Sequence, residues 1–163
     1  MARALIVGCG CHGRELAGRL IARGWQVRGT SRERSRLAEI ESAGFEAAPA
    51  DPDRPGTVLD LCGDITTVVW LLGSASGEAD AVSAVHGPRL ERLLEKLVDS
   101  PVRGFAYEGD GTAGDAQLDS GRRIVESAGE RWRIPVAVLT GSRDEPGWAE
   151  QGADRIAGLL AGG

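Results

Sequence analysis

The chain has 163 residues, which is enough for one domain with a proper hydrophobic core. Its formal net charge of −5 at pH 7 favours neither nucleic acid nor an anionic membrane as a partner. The basic residues include one lysine, Lys96, which excludes most lysine-based mechanisms. No apolar run approaches the ~20 residues that span a bilayer, and no signal peptide is evident, so we expect a cytoplasmic protein.

Short apolar runs alternate with longer amphipathic segments along the chain, which is the pattern of βαβ units. Strands are predicted at residues 4–7, 25–29, 45–49, 65–72, 102–107 and 135–139. Helices are predicted at residues 11–23, 31–43, from 55, from 88, around 118–132 and at 149–160, with a helical turn or two around 79–85. Ser31 is placed to cap the second helix. Right-handed crossovers then predict one doubly wound α/β domain over residues 1–163, with a mainly parallel sheet of order 3-2-1-4-5-6 and helices on both faces.

A glycine-rich turn follows the first predicted strand and opens the first helix. Gly8, Gly10 and Gly13 match the pattern G-x-G-x-x-G in this context. The first glycine allows a tight turn, the second lets a pyrophosphate approach the backbone, and the third lets the helix pack close to the sheet. Together with Cys11 and His12, the turn is predicted to bind a dinucleotide on a Rossmann-type sheet. The alternative is a tight turn in a protein of this fold that binds no nucleotide.

The end of the second predicted strand carries no carboxylate, although NAD-preferring sites usually place Asp or Glu there. Thr30, Ser31 and Arg32 occupy this stretch instead, with Arg36 one helical turn further on. These side chains could bond to a 2′-phosphate, so the sequence favours NADP, with NAD as the alternative. Under a plainer interpretation, Ser31 only caps the helix and the arginines form a solvated face.

Small residues follow the fourth predicted strand, at a position that commonly flanks the nicotinamide ribose. Leu72, Gly73 and Ser74 are therefore predicted to contact the cofactor, or else simply to form the loop.

Two other groups of residues contain side chains that can ligate metals. Cys9, Cys11 and His12 would need a further ligand, and His86 is the only other histidine. The acidic loop at residues 108–115 lacks the ligand spacing of a calcium loop. We therefore expect no metal at either place.

The run from Gly8 to Ala17, continued by residues 23–32, resembles the N-terminus of atypical and extended short-chain dehydrogenases, the NAD-dependent epimerase/dehydratase type. Residues 102–107 resemble their fifth strand, and residues 132–139 their sixth. The resemblance implies a Rossmann fold, bound NAD(P) and, in active members, a Ser or Thr with a Tyr-x-x-x-Lys pair. In that pair the lysine holds the ribose and lowers the pKa of the tyrosine.

The chain departs from this pattern at the catalytic pair. Tyr107 is the only tyrosine, Gly111 stands where the lysine would follow, and Lys96 lies on the preceding predicted helix. Without such help a tyrosine titrates near pH ~10 and is a poor base at neutral pH. Tyr107 and Thr112 are weak catalytic candidates. The alternatives are a core tyrosine with a bonded hydroxyl and a flexible glycine-rich turn.

Two hypotheses follow from these residues. The first is an NADP(H)-binding protein of the atypical short-chain dehydrogenase type, with altered or no oxidoreductase activity. The second is a non-catalytic dinucleotide sensor or partner-binding regulatory protein. A third interpretation is an ordinary dehydrogenase module that takes its substrate domain from another chain and is active only in that complex. A small-molecule substrate and an oligomer are compatible with these hypotheses.

Overall fold

One parallel sheet forms the centre of the computed structural model, which describes residues 2–161. Its strands are β1 (Arg3–Val7), β2 (Gln26–Ser31), β3 (Glu46–Pro49), β4 (Thr67–Trp70), β5 (Gly104–Glu108) and β6 (Val136–Leu139). Their order in the sheet is β3-β2-β1-β4-β5-β6, and every neighbouring pair is parallel. The predicted doubly wound topology is confirmed, and the strand order reverses between β1 and β4.

Helices connect these strands and cover both faces of the sheet. They are α1 (Cys11–Ala22), α2 (Arg34–Ser42), α3 (Pro55–Leu59), α4 (Ala79–Val85), α5 (Pro88–Leu97), α6 (Asp115–Trp132) and α7 (Trp148–Ala161). The helical turn or two predicted around residues 79–85 is the seven-residue helix α4. Between residues 2 and 161, no helix combines the length and apolar character that crossing a membrane would require.

Two apolar cores lie on opposite faces of the sheet. Ala4 and Ile6 point into the core that α1, α2 and α7 cover, and Leu5 and Val7 into the core that α3, α5 and α6 cover. Because side chains alternate along a strand, four consecutive apolar residues such as residues 4–7 of β1 need cover on both faces. All four of these side chains are fully buried. The buried strand β1 therefore fixes the position of the glycine turn that follows it at Gly8.

The boundary between β2 and α2 differs from the prediction. Ser31 was expected to cap the second helix, which is wrong, because it is the last residue of β2 and pairs in register with Pro49 of β3. The N-cap of α2 is Glu33, and the Ser31 hydroxyl accepts a hydrogen bond from the Glu33 amide at 3.2 Å. Pairing with β3 thus extends β2 two residues beyond Gly29, and the chain turns into the helix only afterwards.

Candidate functional site

A cleft of about 320 Å³ opens at the carboxyl ends of β1, β2, β3 and β4. This is the point where the strand order reverses, and open α/β sheets bind ligands there. The predicted cofactor residues that line it are Gly8, Gly10, Thr30, Ser31, Arg32, Arg36, Leu72 and Ser74. The other predicted residues, Cys11, His12, Gly13 and Gly73, lie next to these in the chain but outside the lining. The structure therefore brings most of the predicted set together around one cavity.

The glycine turn has the geometry that its sequence pattern predicts. Gly8 has a φ of +88°, and a Cβ there would lie 2.5 Å from the carbonyl oxygen of Leu71. A Cβ on Gly13 would lie 3.3 Å from the carbonyl oxygen of Gly8, so α1 packs tightly on the turn. At Gly10, by contrast, no heavy atom of the described chain lies within 4 Å of the Cβ position. The backbone at Gly10 is open to the cleft and can be approached closely.

The N-terminus of α1 at this turn has no side-chain cap. Gly10 is the N-cap residue, and the first turn of the helix contains no acidic side chain. Amides at the start of a helix lack intrahelical partners, and the helix end carries a partial positive charge. The Cys9 amide donates to the Thr30 carbonyl at 3.1 Å, which ties the turn to the end of β2. An uncapped helix start beside an open backbone suits an anion.

The side chains between the glycines have different surroundings. Cys9 is buried, and a Cβ on Gly29 would lie only 2.7 Å from its sulfur, so this thiol fills the space beneath β2. Cys11 is exposed. The Nε2 atom of His12 lies 2.9 Å from a carboxylate oxygen of Asp144, in the loop before α7. Within residues 2–161, no three His, Cys, Asp or Glu side chains are grouped so that they could hold a metal ion.

Two arginines stand at the end of the cleft formed by β2 and α2. The Nε atom of Arg36 lies 3.0 Å from a carboxylate oxygen of Glu33, so its charge is already paired. Arg32 is exposed and makes no ion pair with any other described residue. Thr30 is buried and Ser31 is half-buried at the floor of the same end. Arg32 is therefore the cation in this part of the cleft that is free to meet a ligand.

Sequence reasoning missed two parts of the cleft lining, residues 50–53 and the helix α4. Residues 50–53 follow β3 and add the carboxylates of Asp51 and Asp53, the latter paired with Arg89 at 3.1 Å. Residues 75–76 and α4 supply the opposite, mostly apolar wall, with Val82 and Val85. The position of residues 50–53 could have been found, because they follow a predicted strand at the same edge of the sheet. The position of α4 depends on tertiary packing that no local pattern shows.

The loops after β4, β5 and β6 are tied together by a buried carboxylate. Glu108, which is 1% exposed, accepts hydrogen bonds from Arg143 Nη2 at 2.6 Å and Arg143 Nε at 3.0 Å. It also accepts one from the Gly73 amide at 2.8 Å. Nearby, Asp110 accepts a hydrogen bond from the Gly141 amide at 2.7 Å. Hydrogen bonds thus join the loops at the carboxyl ends of β4, β5 and β6.

Tyr107 lies in the core rather than at an exposed sheet edge. Its side chain is fully buried, and its hydroxyl lies 2.6 Å from His86 Nδ1. The other ring nitrogen lies 2.8 Å from the Leu72 carbonyl, which can only accept, so Nε2 carries the proton and the tyrosine hydroxyl donates to Nδ1. Burial, reinforced by the charge of Glu108, raises the pKa of Tyr107. This geometry favours the alternative of a core tyrosine with a bonded hydroxyl.

The other two residues considered for catalysis also lie apart from one another. Thr112 is exposed, and its amide donates to the Ser74 hydroxyl at 3.3 Å. Lys96 is exposed near the C-terminal end of α5. The tyrosine is therefore buried, whereas the threonine and the lysine are both exposed.

Solved structures with the same architecture include epimerases and a reductase, among them complexes with NAD and with NADP(H). UDP-glucose 4-epimerase from Thermotoga maritima, solved with UDP-glucose, matches 88% of this chain with a TM-score of 0.70 at 16% identity. UDP-glucuronic acid 4-epimerase from Bacillus cereus, in complex with NAD, matches 84% with a TM-score of 0.66 at 17% identity. Triphenylmethane reductase from Citrobacter sp., complexed with NADP(H), matches 87% with a TM-score of 0.66 at 16% identity. The chain has the Rossmann fold of these enzymes.

The likeness covers only part of each enzyme. The matched region is 58% of the Thermotoga epimerase, 55% of the Bacillus epimerase and 50% of the reductase, so the chain spans about half their length. No protein-family model matches the sequence, and no curated protein sequence matches it significantly. The predicted resemblance to the epimerase and dehydrogenase group is confirmed at the level of the fold.

Proposed function

We propose that this chain binds NADP(H) in the cleft beside its glycine turn. The observation that carries the proposal is the open backbone at Gly10, which adjoins the uncapped start of α1 at the switch point of the sheet. Gly8, Gly10 and Gly13, with the amides of Cys11 and His12, would hold the pyrophosphate. The solved complexes of similar fold with NAD and NADP(H) support this choice of ligand.

Arg32 is the residue that we propose selects NADP over NAD. It lines the cleft without an ion-pair partner among the described residues, whereas Arg36 is held by Glu33. Thr30 and Ser31 offer hydroxyl groups on the same side of the cleft. Because the guanidinium group binds phosphate oxygens through a planar set of donors, Arg32 suits the 2′-phosphate of NADP. The predicted contacts Leu72 and Ser74 also line the cleft, directly after β4, and Gly73 lies between them in the chain.

Bound NADPH would supply a hydride, but among residues 2–161 the cleft lining includes no tyrosine or lysine that could pass on a proton. Tyr107 is buried and bonded to His86, and Lys96 lies on a surface of α5. This favours a second candidate function, a non-catalytic protein that senses or carries the cofactor. Mixing the protein with NADPH and a panel of carbonyl and nitro compounds separates the two functions. Consumption of NADPH supports an enzyme, and its absence supports the sensor.

Isothermal titration calorimetry with NADPH and NADH tests the binding proposal directly. We expect NADPH to bind at micromolar concentration and NADH at least about tenfold more weakly, since a paired phosphate is commonly worth that much. If neither coenzyme binds below millimolar concentration, the proposed function is wrong.

The substitution Arg32→Ala tests the selectivity of the site. We expect it to weaken NADPH binding by about tenfold or more and to leave NADH binding nearly unchanged, because only NADPH has the 2′-phosphate. Arg34→Ala is the matched control, since Arg34 is also exposed at the start of α2 but does not line the cleft. Equal losses for both coenzymes in the Arg32 variant would contradict the assignment of this residue.

A further inference from the structure

The loops of the two halves of the sheet contribute differently to the cleft. A Rossmann sheet consists of two mononucleotide-binding halves, here β1 to β3 and β4 to β6. The cleft is lined by the loops of the first half and by residues directly after β4. Among residues 2–161, the loops after β5 and β6 contribute nothing to its lining. The cavity thus lies over the half of the fold that would take the adenosine part of a dinucleotide.

The polar atoms directly after β4 are already occupied by other parts of the chain. The Leu72 carbonyl accepts hydrogen bonds from His86 Nε2 at 2.8 Å and from the Ala75 amide at 3.1 Å. The Gly73 amide donates to Glu108 at 2.8 Å, and the Gly73 carbonyl accepts from the Ala113 amide at 2.8 Å. A nicotinamide ribose could use the Leu72 carbonyl or the Gly73 amide only by breaking these bonds, and each broken bond would oppose its binding.

The loop after β5 also fills the space above the end of β4. A Cβ on Gly73 would overlap the carbonyl oxygen of Asp110, and a Cβ on Gly111 would overlap the carbonyl oxygen of Gly73. The two backbones are therefore in direct contact. The Glu108–Arg143 ion pair and the bond from the Gly141 amide to Asp110 hold the loop after β6 against them. The second half of the site is closed by backbone contacts and by a buried ion pair.

We propose that the cleft recognises an adenine nucleotide with a 2′-phosphate, of which 2′,5′-ADP is the simplest example, and leaves the nicotinamide half of NADP(H) outside. This inference rests on the proposed function and specifies which part of the cofactor carries the affinity. The open backbone at Gly10, the uncapped start of α1 and Arg32 all lie in the first half. The nicotinamide half makes no fixed contact, so its removal changes little.

Calorimetric titration with three ligands tests this inference. We expect 2′,5′-ADP to bind within about fivefold of NADPH, and nicotinamide mononucleotide not to bind at millimolar concentration. If NADPH binds more than about fivefold tighter than 2′,5′-ADP, the inference is overturned while the proposed function stands. If none of the three ligands binds, the proposed function itself fails.

Saturation-transfer NMR on the NADPH complex provides an independent test. Irradiating the protein should transfer saturation strongly to the adenine protons and barely to the nicotinamide protons. Comparable transfer to both rings would show that the nicotinamide is held and would overturn the inference. The variant Gly10→Ala is the control, because a methyl group in the open space beside the turn should remove the transfer to both rings.

Discussion

At the scale of single residues, His86 is the buried titratable group whose partners are best defined. It accepts from Tyr107, donates to the Leu72 carbonyl and feels the charge of Glu108. Burial, the largest cause, lowers its pKa below the ordinary value of 6.5, although the bond to Leu72 and the charge of Glu108 oppose this. The folded chain therefore holds a neutral imidazole that the unfolded chain would protonate more readily.

This difference predicts a loss of stability in weak acid. Because the folded pKa lies below the unfolded one, the unfolded state binds more protons, and stability declines as the pH falls below about 6.5. The measurement is the free energy of unfolding in urea at a series of pH values. His86→Gln is the comparison, since an amide can keep both hydrogen bonds and does not titrate. Identical pH profiles for the two proteins would show that His86 is not responsible.

Gly10 and Gly18 make a matched pair for testing the role of the turn. Neither has a heavy atom of the described chain within 4 Å of its Cβ position, and Gly10 has a φ of −85°, which any residue adopts. We expect Gly10→Ala to fold normally but to lose cofactor affinity by about tenfold or more, because the methyl group occupies the path of the phosphate.

Gly18→Ala, on the exposed face of α1, should keep that affinity and gain about 0.5–1 kcal/mol of stability from better helix propensity. Binding and thermal unfolding of both variants distinguish a local effect at the cleft from a general effect on α1. Normal affinity in the Gly10 variant would mean that the ligand does not approach this backbone.

At the scale of elements, the Glu108–Arg143 pair joins the ends of β4, β5 and β6. Removing Arg143 leaves a carboxylate that is 1% exposed without its cationic partner. We expect Arg143→Ala to reduce the free energy of unfolding by about 2–3 kcal/mol, toward the low end for buried pairs because Arg143 is partly exposed.

Arg122→Ala breaks an exposed pair with Asp119 on α6 and should cost at most about 0.5 kcal/mol. Chemical denaturation of both variants gives the comparison. A loss in the Arg143 variant as small as in the Arg122 variant would mean that water replaces the arginine around Glu108.

The elements that could be predicted from the sequence are those with a local pattern. β1 is a run of apolar residues, and the leucines of α5 recur at helical spacing and are all buried. Helical connections between successive strands then predict the sheet order, because crossovers are right-handed. The glycine turn was equally predictable, since each glycine has a local backbone reason.

Other features depend on contacts between distant segments and have no local signal. The Glu108–Arg143 pair spans 35 residues, and His86 meets Tyr107 across 21. The extension of β2 through Ser31 is caused by pairing with β3, which the weak apolar pattern of residues 45–49 did not reveal. The sequence indicates where the cleft opens, but it does not indicate the hydrogen bonds that the neighbouring loops make with one another.

At the scale of the whole molecule, the two apolar cores share one sheet, so we expect the chain to unfold as one unit. A ligand bound in the cleft should then stabilise the whole folded chain. A ligand at about 100 times its dissociation constant adds about 2.7 kcal/mol to the stability of the folded state. For a chain of this size we expect NADPH to raise the melting temperature by about 5–10 °C. Differential scanning calorimetry with NADPH, NADH and no ligand measures the shift. Equal melting temperatures in all three samples would contradict specific binding.

The distribution of the three cysteines has a practical consequence. Cys9 and Cys62 are buried, which raises the pKa of their thiols to about 11 and about 12, so both stay protonated and unreactive near neutral pH. Cys11 is exposed at the first residue of α1. A maleimide dye would therefore attach at one position, beside the glycine turn. The natural sequence already provides a single labelling site for a fluorescent reporter of cleft occupancy.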